Sequence, residues 1–216
     1  LLLTRKPGPR PEPTTVRDFL ICAGVGLVFA ADGGFFHASL ELLPIAHANL
    51  IVTSGVIVSG IGGSFLFKDR VGWPPFAGLL ISFSGLVLMV GISDRPIDTL
   101  GLIYAIIAML AFAAYVVAVK FASQRLSTNG ILRVSAIAAA PVLIAASLIL
   151  GEKSVPDGWD GLWPLLGIGI VCQICGQGLI TKGLSFIPIA IGTTLMLTTP
   201  VAAAEADPAA EEAAAA

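Results

Sequence analysis

The sequence predicts an all-α fold, a polytopic transmembrane helix bundle with about seven spans. Three observations predict it. Hydrophobic residues make up 56% of the 216 residues and charged ones only 12%, about half the roughly 25% of an ordinary soluble domain. The apolar residues come in blocks long enough to cross a bilayer, which takes about 20 residues per helix. The Lys and Arg residues concentrate in alternate breaks between those blocks. A net charge of −2 excludes a nucleic-acid binder, which needs a basic face. The high apolar content excludes a disordered chain.

The spans are expected at 18–36, 45–67, 74–92, 100–121, 130–150, 161–181 and 187–204. Turn chemistry separates them. Pro44 opens the second span and Trp73-Pro74-Pro75 the third. Asp94-Arg95-Pro96 parts the third from the fourth, and Ser127-Thr128-Asn129-Gly130 precedes the fifth. Pro156-Asp157-Gly158 precedes the sixth and Pro188 the seventh. Trp73, Trp159 and Trp163 fall at span ends, where amphipathic rings favour the headgroup region.

Cytoplasmic loops collect Lys and Arg. Arg5, Lys6, Arg10, Arg17, Lys68, Arg70, Lys120, Arg125, Arg133 and Lys182 all fall on one side of the predicted topology, and only Arg95 and Lys153 on the other. Ten against two fixes the orientation and checks the span count, since one missed helix would scramble the alternation. Segments 1–17, 68–73, 122–129 and 182–187 are expected in the cytoplasm, and 37–44, 93–99 and 151–160 outside. The chain opens Leu1-Leu2-Leu3 without Met and closes on an Ala-rich, low-complexity stretch, so it reads as an internal piece of a longer protein.

A shift of 144 residues aligns two segments without a gap. Leu40-Glu41-Leu42-Leu43-Pro44-Ile45-Ala46 lies over Leu184-Ser185-Phe186-Ile187-Pro188-Ile189-Ala190, with four of seven positions identical. Gly34 meets Gly178 upstream. Five spans lie between the copies, and an odd number makes them cross the membrane in opposite directions. Inverted repeats of this kind are typical of secondary transporters, with solute sites near the midplane.

Ala38 to Asn49 resembles the link between the third and fourth helices of EamA-like drug/metabolite transporters, where a small-residue helix follows an A-L-x-x-x-x-A-x-x-A loop. Phe67-Lys68-Asp69-Arg70, Trp73 and Gly78 to Gly91 are similar to the "G-E-R … W-x-G … G" stretch that follows, with Asp69 where Glu is usual. Gly183 to Ala190, running on to Thr199-Pro200-Val201, resembles the second copy, and Val56 stands where the first copy commonly has Pro. The resemblance covers residues 17–201 and implies a 5+5 inverted-repeat transporter, of which this chain supplies about the third to the ninth helix. On that reading 1–17 is a cytoplasmic segment, 18–92 the last three helices of the first repeat, 100–204 the first four helices of the second, and 205–216 a low-complexity Ala/Glu tail. The family's cavity lies between the repeats, which implies a lining from spans 18–36, 45–67, 100–121, 161–181 and 187–204.

The polar groups those spans offer are Asp32, Asn49, Thr53, Tyr104, Gln173, Gln177 and Thr194, the candidate substrate-binding residues. Asp32 is the only acid well inside a span, and an intramembrane carboxylate costs about 2.5–3.5 kcal/mol on insertion scales; against a role in transport stands a loosening of the helix by Gly33-Gly34 that lets it reach outer water. Gln173 and Gln177 are four apart, on one helix face, where helix–helix bonding is the alternative. Asn49 and Thr53 are also four apart, with packing as the simpler reading. Tyr104 and Tyr115 share a face of the fourth span. Phe29, Phe36 and Phe112 are expected as apolar walls.

Other motifs carry less. His37 and His47 flank the outer loop with Glu41 and read as solvated interface residues. Cys172-Gln173-Ile174-Cys175 is a C-x-x-C inside a membrane helix with no second ligand pair, so it reads as packing, with no metal site and no cofactor implied. Gly62-Gly63-Ser64-Phe65 loosely matches the elbow of a serine hydrolase, but no His lies at midplane depth to activate Ser64.

The function expected is a non-enzymatic, multi-pass permease of the cytoplasmic membrane that moves a small metabolite, such as an amino acid or amine, by alternating access. A non-transporting helical subunit of a larger complex is the alternative, and an intramembrane hydrolase a weaker one. The expected partners are a small-molecule substrate and the lipid bilayer, with a homodimer or larger membrane complex as a further option.

Overall fold

The computed structural model describes residues 11–68, 98–149 and 158–196 and scattered positions between 73 and 88, with the backbone alone described at 160, 161, 165, 168 and 172–174. The described residues form helices and short turns, with no strand among them. The helices are α1 (Val16–Leu40), α2 (Ile45–Phe67), α3 (Thr99–Ser123), α4 (Thr128–Ile149), α5 (Trp159–Ile168), α6 (Gln177–Leu184) and α7 (Ile189–Met196). A π-helical segment, Gly169–Gly176, joins α5 to α6 in one unbroken run. The expected span at 74–92 lies largely outside the described residues, as does the end of the seventh beyond Met196.

Helices α1 to α4 are 22 to 25 residues long and apolar enough to cross a bilayer. Leu27, Ile61, Phe65, Leu110, Ile137, Ile144 and Leu148 are large apolar side chains left exposed along them. In water such faces would associate; against lipid they need no partner. Trp159 and Trp163 are exposed at the start of α5, as the headgroup preference of indole requires. The chain is a multi-pass membrane protein.

Local chemistry sets the helix ends. Thr15 and Asp18 form a capping box, the Asp18 N–H donating to Thr15 Oγ1 and the Thr15 N–H to the Asp18 carboxylate. Asp98 accepts from the N–H groups of Leu100 and Gly101 to start α3, and Ser127 Oγ accepts from Gly130 N–H to start α4. Helix α2 stops at Lys68, which turns left-handed (φ 51°) and donates its N–H to Phe65. Gly158 takes φ 89° before α5, a conformation open to glycine.

The repeat seen in the sequence recurs in the backbone. Ser39 O accepts from the N–H groups of Leu42 and Leu43, and Gly183 O from those of Phe186 and Ile187. Pro44 O then accepts from His47 and Ala48, and Pro188 O from Ile191 and Gly192. Every partner in one turn is its counterpart in the other moved by 144 residues.

The chain divides into two compact units. The second holds 36–113 and 188–216. In it Leu43, Ala48 and Ala105 form a buried cluster with Phe36, Leu40 and Ile51 against it, and Val56 gathers Ile57, Phe112 and Met196. Small residues permit the approach of the helices. A Cβ on Gly55 would lie 2.6 Å from the Met109 carbonyl oxygen, and one on Gly63 would lie 2.5 Å from Ile189 Cδ1. These contacts fix direction. Gly101 lies on Leu42 and Leu43 while Met109 lies on Gly55, so α2 and α3 run the same way. Ile189 lies on Gly63 while Met196 lies on Val56, so α2 and α7 run antiparallel. Pro44 and Pro188 therefore open helices of opposite direction, as an inverted repeat requires.

The first unit holds 1–35 and 114–187. Gly26 brings α1 onto α4 so closely that a Cβ would fall on the Ser135 carbonyl. Lys120, buried near the end of α3, donates to the carbonyls of Leu184 (2.8 Å) and Ile187 (2.5 Å). An ammonium there meets the orphaned carbonyls and the negative dipole at the C-terminus of α6.

Candidate functional site

The first unit contains a cavity of about 560 Å³, within the usual range for small-ligand pockets, about 300–1,000 Å³. Its lining comes from five stretches of chain. Helix α1 supplies Phe29, α3 supplies Tyr115 and α6 supplies Gln177. Helix α4 supplies Asn129, Leu132, Arg133, Ser135, Ala136 and Ala139, and Glu12 comes from the segment before α1. Asn129, Leu132, Arg133 and Ala136 stand at i, i+3, i+4 and i+7, so a single helical face presents an amide, a guanidinium and a small apolar floor.

At one wall the buried Tyr115 hydroxyl donates to Gln177 Oε1 at 2.9 Å. That bond orients the amide and leaves its nitrogen available as a donor. The Phe29 and Tyr115 rings meet at 5.4 Å between centroids with a 52° tilt, a favourable aromatic geometry. Asp32 is half-buried on α1, three residues beyond Phe29.

At another wall the segment before α1 is strapped to the α3–α4 turn. Ser127 Oγ donates to Glu12 at 2.7 Å, and Arg133 pairs with the same carboxylate. The Ser127 N–H donates to Pro11 O, and Gly130 packs so tightly on Pro13 that it has no room for a Cβ. The Ser127 hydroxyl and the Arg133 guanidinium hold the Glu12 carboxyl below its ordinary value. A second cavity, also about 560 Å³, shares Asn129 and Leu132 with the first and is bordered by Thr128, Cys175 and Lys182.

Of the seven sequence candidates, Gln177 alone borders the first cavity among the described residues. Asp32 belongs to the same unit. The backbone of Gln173 is π-helical and its side chain lies outside the described residues. Asn49, Thr53, Tyr104 and Thr194 belong to the second unit. There Asn49 is exposed, Thr53 and Tyr104 are half-buried, and Thr194 Oγ1 donates to Ala190 O in its own helix. Of the three expected aromatic walls Phe29 lines the cavity, whereas Phe36 and Phe112 pack into the clusters of the second unit.

Arg133, Asn129, Ser135 and Glu12 were not among the candidates. Arg133 counts in the sequence as an orientation signal and Asn129 as part of a turn. The available signal was the polar stripe of Asn129 and Arg133, four residues apart and continued by Ala136, at the start of a predicted span.

The remaining motifs stay local. Ser64 Oγ donates to Gly60 O one turn back and is buried. Cys22 is buried and Cys175 exposed, both as free thiols. His37 is exposed and stacks on Phe36, while His47 has a buried Nδ1 without a hydrogen-bond partner. No group of His, Cys, Asp or Glu suited to a metal occurs among the described residues.

One solved crystal structure is similar to the chain with a TM-score of 0.67. It aligns over 85% of this chain and 73% of the other at 19% identity, a likeness of fold. No curated protein matches. Residues 99–206 match the model of the EamA-like transporter family. With helices that span a bilayer, a backbone turn repeated in opposite orientation and a cavity beside the Tyr115–Gln177 pair, the chain belongs to the EamA-like transporter family.

Proposed function

We propose that this membrane transporter is a secondary carrier that moves a small metabolite across the cytoplasmic membrane by alternating access, and that its solute sits in the cavity of the first unit. The observation that carries this reading is the Tyr115–Gln177 bond beside Phe29 on the cavity wall. Apolar walls with a few convergent polar groups are the usual make-up of a small-molecule site. Phe29 and the Tyr115 ring offer a flat apolar surface, and the Gln177 amide offers an oriented donor. Gln177 is the solute contact in this proposal, and Asp32 is a carboxylate at hand for a coupling proton. Asn49, Thr53, Tyr104 and Thr194 belong to the second unit and take no part in this proposal. The partners on this reading are the solute and the bilayer, with a second copy of the chain as a further proposal.

Uptake into vesicles of a panel of small organic solutes of differing charge tests the proposal. Wild-type protein should move at least one of them, and Gln177→Leu should insert normally yet lower the rate by about tenfold or more. A Gln177→Leu protein that transports like wild type would remove the cavity from the solute's path. Copurification with a fixed partner, and no uptake, would favour the helical-subunit reading instead.

A further inference from the structure

We propose that the cavity of the first unit takes an anionic solute, a carboxylate on an apolar or aromatic body, which displaces Glu12 from Arg133 and so releases the strap at residues 11–13. This rests on the reading of that cavity as the seat of the solute.

The argument is one of charge ownership. Arg133 and Asn129 are fixed on α4, so they stay with the cavity however the preceding segment moves. The carboxylate that balances Arg133 is Glu12, which belongs to a segment without helical structure. With the strap lifted, the cavity keeps a guanidinium, amides from Asn129 and Gln177 and hydroxyls from Ser135 and Tyr115, and no carboxylate among its lining residues. Lys182, bordering the adjoining cavity across Asn129 and Leu132, adds a second cation near the same end. Basic residues at a cytoplasmic end are expected for orientation alone. Orientation does not call for an Arg that lines a cavity and is matched there by a carboxylate on a separable strap.

The pair is also easy to exchange. The Arg133 and Glu12 side chains are 69% and 49% exposed, and exposed ion pairs contribute little net stability. A solute carboxylate offers Arg133 the charge-assisted contact that Glu12 makes through one oxygen, with its second oxygen open for a two-pronged one, while its body lies on Phe29, Leu132 and Ala136. Loading the cavity and unfastening the strap are then a single exchange at Arg133. Glu12 competes with the solute.

Three probes with one body and different heads test this: phenylacetate, phenylacetamide and phenethylamine, each radiolabelled and bound to the purified full chain in detergent at equilibrium. Phenylacetate should bind about tenfold tighter than the amide, and the amine should be the weakest. Glu12→Gln removes the competitor and should tighten phenylacetate by about threefold, more than it changes the amide. Arg133→Gln should bring phenylacetate to the level of the amide, and Arg133→Lys should keep part of the preference. A role for Glu12 in folding alone would not tighten binding. Wild-type protein that holds the amide as well as phenylacetate, or a Glu12→Gln protein that binds phenylacetate more weakly, overturns the anion proposal and leaves the cavity reading standing. Binding of none of the three overturns both.

Discussion

Pro44 and Pro188 are the same joint built twice. Each carbonyl accepts from the N–H groups three and four residues on, and each proline opens a helix, with the two helices packed antiparallel. Proline suits the place because its φ is already near helical and its missing N–H would find no partner in a first turn. Two such joints opening helices in opposite directions are what an inverted repeat requires.

The joints should lie on opposite sides of the bilayer. Leu42 and Phe186 are counterparts in the two turns and both are exposed. Replaced singly by Cys, in a protein lacking Cys22, Cys172 and Cys175, Leu42→Cys should react with an impermeant maleimide added to intact cells and Phe186→Cys only after lysis. Equal reaction of both from outside would break the inverted arrangement.

Glycines divide into those that admit a neighbouring helix and those that do not. A side chain at Gly26 or Gly55 meets the backbone of Ser135 or Met109, whereas a Cβ at Gly24 or Gly62 meets nothing within 4 Å. Gly26→Leu and Gly55→Leu should each destabilise the detergent-solubilised protein by about 1–3 kcal/mol. Gly24→Ala and Gly62→Ala should be neutral or stabilising by up to about 1 kcal/mol. Thermal unfolding of the four variants measures the contrast; uniform tolerance would mean the helices are not in close contact at Gly26 and Gly55.

The strap should respond to acid. Glu12 lies outside the spans, and its carboxyl is held below its ordinary value of 4.5 by the Ser127 hydroxyl, with Arg133 adding to the effect. For a depressed carboxylate the attachment is fully present above the ordinary value and lost as the pH falls through the lowered one. A spin label at Thr14 should therefore be immobile at neutral pH and gain mobility as the pH falls through the lowered value of the Glu12 carboxyl. With Glu12→Gln it should be mobile throughout. A label equally mobile across the range in wild-type protein would mean the strap is not fastened through Glu12.

Much of the fold was legible because a bilayer simplifies the code. The expected spans 45–67 and 100–121 correspond to α2 at Ile45–Phe67 and α3 at Thr99–Ser123, since charge is excluded from hydrocarbon and the boundaries follow from its absence. The π-helical turn at Gly169–Gly176 was not legible, because hydropathy is blind to helical register. The lining of the cavity was read in part. Phe29 and Gln177 emerged from the repeat and from polarity inside a span. Tyr115 meets Gln177 across 62 residues of chain and Glu12 meets Arg133 across 121, and no local pattern reports pairings at such range. Asn49 looked like Gln177 to that reasoning: both are amides in small-residue helices. Neighbours in space separate them, since Asn49 is exposed and Gln177 is held by a tyrosine.

The most direct test of the account is to fill the cavity. Ala136 borders it from α4 and is itself exposed, so a larger side chain there does not overpack the core. Uptake by Ala136→Trp, measured in vesicles beside Leu110→Trp, whose site on α3 is exposed and apolar outside the cavity, is the decisive measurement. The account predicts that both proteins insert and unfold at the wild-type temperature, that Leu110→Trp transports as wild type does, and that Ala136→Trp transports nothing. Wild-type uptake by Ala136→Trp would contradict it, because the solute would then be crossing the membrane by another route.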